Sequence, residues 1–286
     1  MTAAWTVLAA AVVLTVLCAV PFVKICGKYG KNEKADWFFP GDAEPEAVSA
    51  YAYDGTELKG ILLGAENSKG TVILLHGWHS SWQKDFGGMI GSLRSLGFDL
   101  LLCGERAHGA SRAALTTLGI RERRDAASWV TATQQLFGEA HPIFLFGSDM
   151  GAAAAMMASD GELGEGVRGI IAESGYSDAR DAVTGRSGRA PGLTLLLTEL
   201  YALGIGRFGF AEKTAAEAVK KSHIPMLMIH GEADTVIPLD KARALFDECA
   251  GEKRFLTVSG AEHGECCEKG GEKVIKAIEE FLNANV

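Results

Sequence analysis

The chain has 286 residues, 48% hydrophobic and 22% charged, with a net charge of −8 at neutral pH. That fits one folded domain plus an apolar surplus, and an acidic balance without basic stretches interleaved with aromatics argues against nucleic acid as a partner. No internal repeat marks a solenoid or a propeller.

The apolar surplus sits at the front. Residues 1–23, "MTAAWTVLAAAVVLTVLCAVPFV", carry no charged side chain. About 20 apolar residues suffice for a helix to cross a bilayer. A single-pass membrane anchor is therefore expected, uncleaved because the basic n-region and clear cleavage site of a signal peptide are missing. Trp5 and Trp37 would lie at the two interfaces. Lys24, Lys28, Lys31 and Lys34 follow the run and nothing basic precedes it. The positive-inside rule then places the rest of the chain in the cytoplasm. The six cysteines are compatible with a reducing compartment. Residues 24–46 are polar with Gly and Pro and read as a linker.

Residues 47–286 read as an α/β domain. "AVSAYAYDGTELKGILLGAE" alternates on both sides of Asp54-Gly55 and predicts a hairpin. Continuous apolar runs follow at 71–77, 98–105, 142–147, 167–174, 224–231 and 254–260. Strands buried on both faces look like this. Helical patterns separate them, so a mainly parallel, doubly wound sheet is expected. Residues 175–222 are too long for a plain loop. "GLTLLLTELYALGIGRFG" within them has helical spacing and predicts a small helical cap.

Chemistry in open α/β sheets gathers at the carboxyl ends of strands. "FLFGSDMGAAAAMM" (144–157) has the strand–turn–helix shape of a nucleophile elbow, with Gly147 and Gly151 flanking Asp149 at two residues on either side. Asp149 is thus the lifted side chain, and Ser148 lies one place too early. Later come Asp234 in "HGEADTVIP" and His263 in "GAEHGE". Nucleophile, acid, histidine is the chain order of the α/β-hydrolase triad. Backbone N–H groups of Trp78, just past His76-Gly77, and of Met150 are candidate oxyanion donors. His76, Arg106 and His108 read as structural residues. His263, Cys266 and Cys267 lack the spacing of a zinc site, so neither metal nor cofactor is expected.

"LLHGWHSS", "RAHGASRAALTTLGIRERRD", "GSDMGAAAAMM", "ESGYSDARD", "KKSHIPMLMIHGEADTVIP" and "GAEHGE" occur in this order. In them the chain resembles bacterial membrane-anchored α/β-hydrolases of the serine aminopeptidase and prolyl-oligopeptidase-like group. The resemblance runs from about residue 48 to the end. It implies an esterase- or peptidase-like acyl hydrolase acting on a small-molecule, lipid-like or peptide substrate. Asp234 and His263 carry over directly. The nucleophile does not, because relatives usually read G-x-S-M-G-A.

Three readings of the elbow follow. A carboxylate at 149 suits attack on saturated carbon, as in haloalkane dehalogenases and epoxide hydrolases, which use an elbow Asp. Cap tyrosines, here Tyr176 and Tyr201, are candidate substrate contacts in that chemistry. Those families usually carry Trp after the Asp, where this chain has Met150. Alternatively, Asp149 pairs with His263 and the domain only binds a ligand. A serine hydrolase using Ser148 is the third, with Phe146 and Met150 where an elbow wants glycines.

Overall fold

A computed structural model of the protein describes residues 2–30, 44–188 and 190–286. Trp37, Lys31, Lys34 and most of the expected linker lie outside the described residues. The strands are β1 (Pro45–Tyr51), β2 (Glu57–Leu63), β3 (Thr71–Leu75), β4 (Asp99–Cys103), β5 (Ile143–Ser148), β6 (Val167–Glu173), β7 (Met226–Gly231) and β8 (Lys253–Val258). They form one eight-stranded sheet in the order β1-β2-β4-β3-β5-β6-β7-β8. The first two strands run antiparallel, as expected from the Asp54-Gly55 turn, and β3 to β8 run parallel.

The helices are α1 (Thr2–Cys26), α2 (Trp82–Phe86), α3 (Ile90–Ser95), α4 (Glu122–Phe137), α5 (Met150–Ala158), α6 (Ala179–Arg186), α7 (Pro191–Tyr201), α8 (Ala215–Val219), α9 (Leu239–Glu248) and α10 (Cys266–Ala284). The central strands are largely apolar because both of their faces are covered. Successive residues of β3 divide between two cores. Ile73 and Leu75 pack with Trp129, Met156 and Met157 from α4 and α5. Val72 and Leu74 pack with Phe86, Ile90 and Phe281 from α2, α3 and α10. The strand period of two thus builds a layer on each face.

Between β6 and β7 lie α6, α7, a π-helical turn at Ala202–Gly206 and α8. A third apolar cluster joins this insertion to the N-terminal helix: Phe22, Ile25 and Cys26 pack with Val183, Ala202, Phe208 and Phe210. Two expectations change here. Among the described residues no helix is long and apolar enough to cross a membrane. This overturns the anchor at 1–23 and the cytoplasmic placement built on it. Phe22, Ile25 and Cys26 at the end of α1 are taken up by the domain, while Val20 and Val23 stay exposed. The linker is also shorter than expected at its start. Helix α1 continues to Cys26, and the backbones of Gly27 and Tyr29 bridge to Leu115 and His108.

Candidate active site

The turn from β5 into α5 holds Asp149 at φ 50°, ψ −107°, a backbone state that non-glycine residues seldom adopt. Its neighbours must be glycines for steric reasons. A Cβ on Gly147 would lie 2.3 Å from the Ala152 nitrogen, and one on Gly151 would lie 2.0 Å from the Leu75 carbonyl oxygen. Strand and helix therefore close tightly and leave Asp149 raised between them.

Asp149, His263 and Asp234 come together. The His263 ring sits between two carboxylates, with Nδ1 2.8 Å from Asp234 Oδ2 and Nε2 3.1 Å from Asp149 Oδ1. Asp234 is fixed from behind: its Oδ1 accepts the N–H groups of Val236 at 2.9 Å and Ile237 at 2.8 Å. The other oxygen of Asp149, Oδ2, accepts the Trp78 N–H at 3.0 Å. The loop carrying Trp78 is held as well. Asp85 accepts the Gly77 N–H at 2.7 Å, and Trp78 Nε1 donates to the Ile25 carbonyl of α1 at 2.7 Å.

A fourth charged residue, absent from the sequence expectations, completes the group. Arg186, at the end of α6, places Nη2 2.5 Å from Asp149 Oδ1 and 3.0 Å from His263 Nε2. Its guanidinium lies over the Trp78 ring, 5.1 Å from the centroid. Trp78 stacks on His79 at 3.9 Å, and His79 stacks on Tyr29 at 4.8 Å. No spacing in the sequence links Arg186 to the elbow. The available signal was charge balance, since a carboxylate at a buried elbow calls for a cation.

These contacts set the protonation states. Burial alone would raise the Asp149 pKa, but the charges and hydrogen bonds of Arg186 and His263 hold it well below the usual carboxylate range. Asp234 behaves alike: burial is outweighed by hydrogen bonds from His230 and His263. Burial would lower His263, yet the Asp149 charge and the bonds to both carboxylates lift it to about 9. At neutral pH the site holds two carboxylates, an imidazolium and a guanidinium.

Of the other expected site residues, Met150 directly follows Asp149, and Tyr176 is near enough to Asp149 and Arg186 to feel their charges. Ser148 is buried as the last residue of β5. Met150 begins α5, and its sulfur takes the Thr116 hydroxyl at 3.1 Å. Tyr176 follows β6 and is fully buried, and its phenol oxygen has no hydrogen-bond partner among the described residues. Tyr201 packs against Phe22 at 4.8 Å, in the seam between α7 and α1. Arg106 makes a bidentate pair with Asp125 at 2.5 and 2.6 Å. His76 accepts the Glu105 N–H at 3.1 Å, and His108 accepts the His79 N–H at 3.0 Å. Cys267 donates its N–H to Glu173 at 3.1 Å. A surface cleft of about 730 Å³, bordered by Asp85, Met89, Cys267 and Ile275, is lined by none of Asp149, Asp234 and His263.

Comparison with known proteins agrees with this architecture. The chain superimposes on the Pyrococcus furiosus esterase Pf2001 with a TM-score of 0.73, covering 90% of this chain and 98% of that one at 22% identity. It has the α/β-hydrolase fold. The alpha/beta hydrolase GrgF from a Penicillium species gives a TM-score of 0.68 over 85% of this chain and 99% of that one at 17% identity. An acylaminoacyl peptidase bound to a peptide chloromethyl ketone gives 0.65 over 84% of this chain and 41% of that one at 16% identity. A serine hydrolase family model, FSH1, matches residues 146–263, the span from the elbow to the histidine. In sequence the chain is 25% identical to the uncharacterized protein YqkD of Bacillus subtilis over 245 residues, 82% of this chain and 77% of that one. It is 26% identical to the uncharacterized protein YfhR of Escherichia coli K12 over 251 residues, 85% of this chain and 81% of that one. The scaffold is that of a hydrolase.

Proposed function

We propose that the protein is a hydrolase whose nucleophile is the Asp149 carboxylate, supported by His263 and Asp234. The observation that carries this reading is the division of tasks between the two Asp149 oxygens. Oδ2 rests on the Trp78 N–H, and Oδ1 faces His263. A carboxylate needs no base to become a nucleophile at neutral pH. Toward an ordinary ester it would form a reactive anhydride, so the acyl chemistry of the named esterase and peptidase suits it poorly. Toward the saturated carbon of an epoxide or haloalkane it forms an alkyl ester.

In the first step Asp149 Oδ1 bonds to carbon while the ring C–O or C–halogen bond breaks. In the second, water gives a proton to His263 and attacks the Asp149 carboxyl carbon. Negative charge then develops on Oδ2, where the Trp78 N–H lies. Collapse releases the alcohol, protonated by His263, and restores the carboxylate. Alkylation also removes the Asp149 charge that keeps His263 protonated. With an epoxide, the alkoxide takes up the proton that the imidazolium releases, and neutral imidazole is left as the base for the second step.

One observation favours a second reading. Arg186 covers Oδ1 at 2.5 Å. If the cap never releases it, the domain binds a ligand without hydrolysing it. The serine alternative is weakened because the Ser148 side chain is buried in β5, one residue before the strained turn that raises Asp149. The test is to expose the full chain carrying His263→Gln to epoxide and haloalkane panels and to map adducts by intact and peptide mass. An ester accumulating on Asp149 is expected. No adduct from any electrophile would leave the ligand-binding reading in place.

A further inference from the structure

The direct ion pairs around the elbow depend on an ionised Asp149. Asp149 and Asp234 are negative, and His263 and Arg186 are positive, linked through contacts of 3.1 Å or less. Arg186 has a side chain only 14% exposed. Its hydrogen bonds go to Asp149 Oδ1 and to the Ala182 carbonyl oxygen at 3.1 Å, while the imidazolium Nε2 of His263, 3.0 Å away, is a second cation. Asp149 is thus its carboxylate. A guanidinium does not give up its proton in a protein, so once Asp149 becomes a neutral ester, Arg186 keeps its charge but loses the one carboxylate that it touches, and Asp234 acts on it only from farther off. Histidine can shed its charge at that moment; arginine cannot.

Arg186 is also held in place. Trp78 lies under its guanidinium, His79 under Trp78 and Tyr29 under His79. Trp78 itself is tied to Ile25. Swinging out to water would forfeit the stacking on Trp78 and the bond to Ala182. Staying in place leaves the hydrogen-bonding position that the Asp149 oxygen filled open to a new anion.

We propose that Arg186 is the specificity-determining residue of this site and selects electrophiles that carry a carboxylate beside the carbon under attack. The substrate carboxylate takes over the guanidinium as the Asp149 oxygen turns to carbon. Arginine suits this because its planar fork pairs with a carboxylate through two parallel hydrogen bonds. The distance limits the spacing. Nη2 is 2.5 Å from the attacking oxygen, so the anionic group must sit one or two bonds from the reacting carbon. An oxirane carboxylate has that arrangement. This inference rests on the reading of Asp149 as nucleophile.

The test compares glycidate with glycidamide, its neutral isostere, as substrates of the full chain. Ring-opened product is measured by mass spectrometry for the natural sequence, Arg186→Gln and Arg186→Lys. The expected result is a kcat/KM at least roughly tenfold higher for glycidate, as for one retained charge-assisted contact. Arg186→Gln should abolish that preference, and Arg186→Lys should retain part of it. Melting temperatures of both variants are recorded alongside, and Arg186→Lys keeps the comparison open in a chain that retains the cation. Equal turnover of the two epoxides by the natural sequence would overturn the selection by charge and leave the nucleophile reading standing. A glycidate preference that survives Arg186→Gln would overturn the role of Arg186. Absence of turnover and of Asp149 adducts with both epoxides would overturn the nucleophile reading and this inference together.

Discussion

Arg186 Nη2 lies 2.5 Å from Asp149 Oδ1, inside a site where both side chains are largely withdrawn from water, at 14% and 9% exposure. Breaking one side of such a pair leaves an uncompensated buried charge. Asp149→Asn keeps the shape and removes the charge. It should destabilise the fold by about 3 kcal/mol, read as a lower urea midpoint with an unchanged slope. A variant as stable as the natural protein would show that the pair contributes little.

The pH dependence of stability follows from the same cluster. His263 is lifted from an ordinary 6.5 to about 9 in the folded state. Its contribution is fully present below the unfolded pKa and is lost as pH rises through the folded one. Asp149 and Asp234 are lowered, so their contributions are present above the ordinary carboxylate value of 3.8 and lost as pH falls below it. Thermal midpoints should therefore be flat between roughly pH 4 and 6.5 and fall by the equivalent of roughly 2–3 kcal/mol toward pH 9. In Asp149→Asn the alkaline fall should shrink, and NMR titration should find the His263 pKa closer to its ordinary value.

The elbow glycines make a separate, purely steric prediction. Gly151→Ala would put a Cβ 2.0 Å from the Leu75 carbonyl oxygen, which is backbone and cannot swing aside. The expected loss is about 3 kcal/mol, or failure to fold, measured by denaturant titration. Gly88→Ala is the control, since a Cβ there meets nothing within 4 Å.

A fluorophosphonate separates the two candidate nucleophiles. It should leave the natural chain unlabelled, because the Ser148 side chain is buried at the end of β5. Asp149→Ser should be labelled at position 149, beside His263 and the Trp78 N–H. A label on Ser148 in the natural chain would mean that the elbow works one residue earlier than its glycine spacing indicates.

The parallel sheet was legible because strands covered on both faces leave continuous apolar runs, and Thr71–Leu75 is buried at every position. The elbow was legible from two glycines whose spacing is forced by backbone contact. Asp234 and His263 were legible from chain order and from their places after strands. Arg186 was not, because one arginine on a cap helix has no fixed spacing to residues it meets only in three dimensions. Nor was the fate of the N-terminal helix. Phe22, Ile25 and Cys26 are apolar whether they face lipid or, as here, Val183 and Phe208. Hydropathy records the preference to leave water without recording the partner. The pairing of Gly27 and Tyr29 with Leu115 and His108 is a backbone contact between distant segments, and it left no trace in composition.

The most direct test of the central claim is turnover of an epoxide by the full chain in heavy-oxygen water, followed by mass analysis of the peptide carrying Asp149. Hydrolysis of an Asp149 ester by attack at its carboxyl carbon places water's oxygen in the carboxylate, so the peptide should gain mass over repeated turnovers. It should not do so in Asp149→Asn. Product formed with heavy oxygen from the first turnover, and none in Asp149, would mean that water attacks the substrate directly and that Asp149 is not the nucleophile.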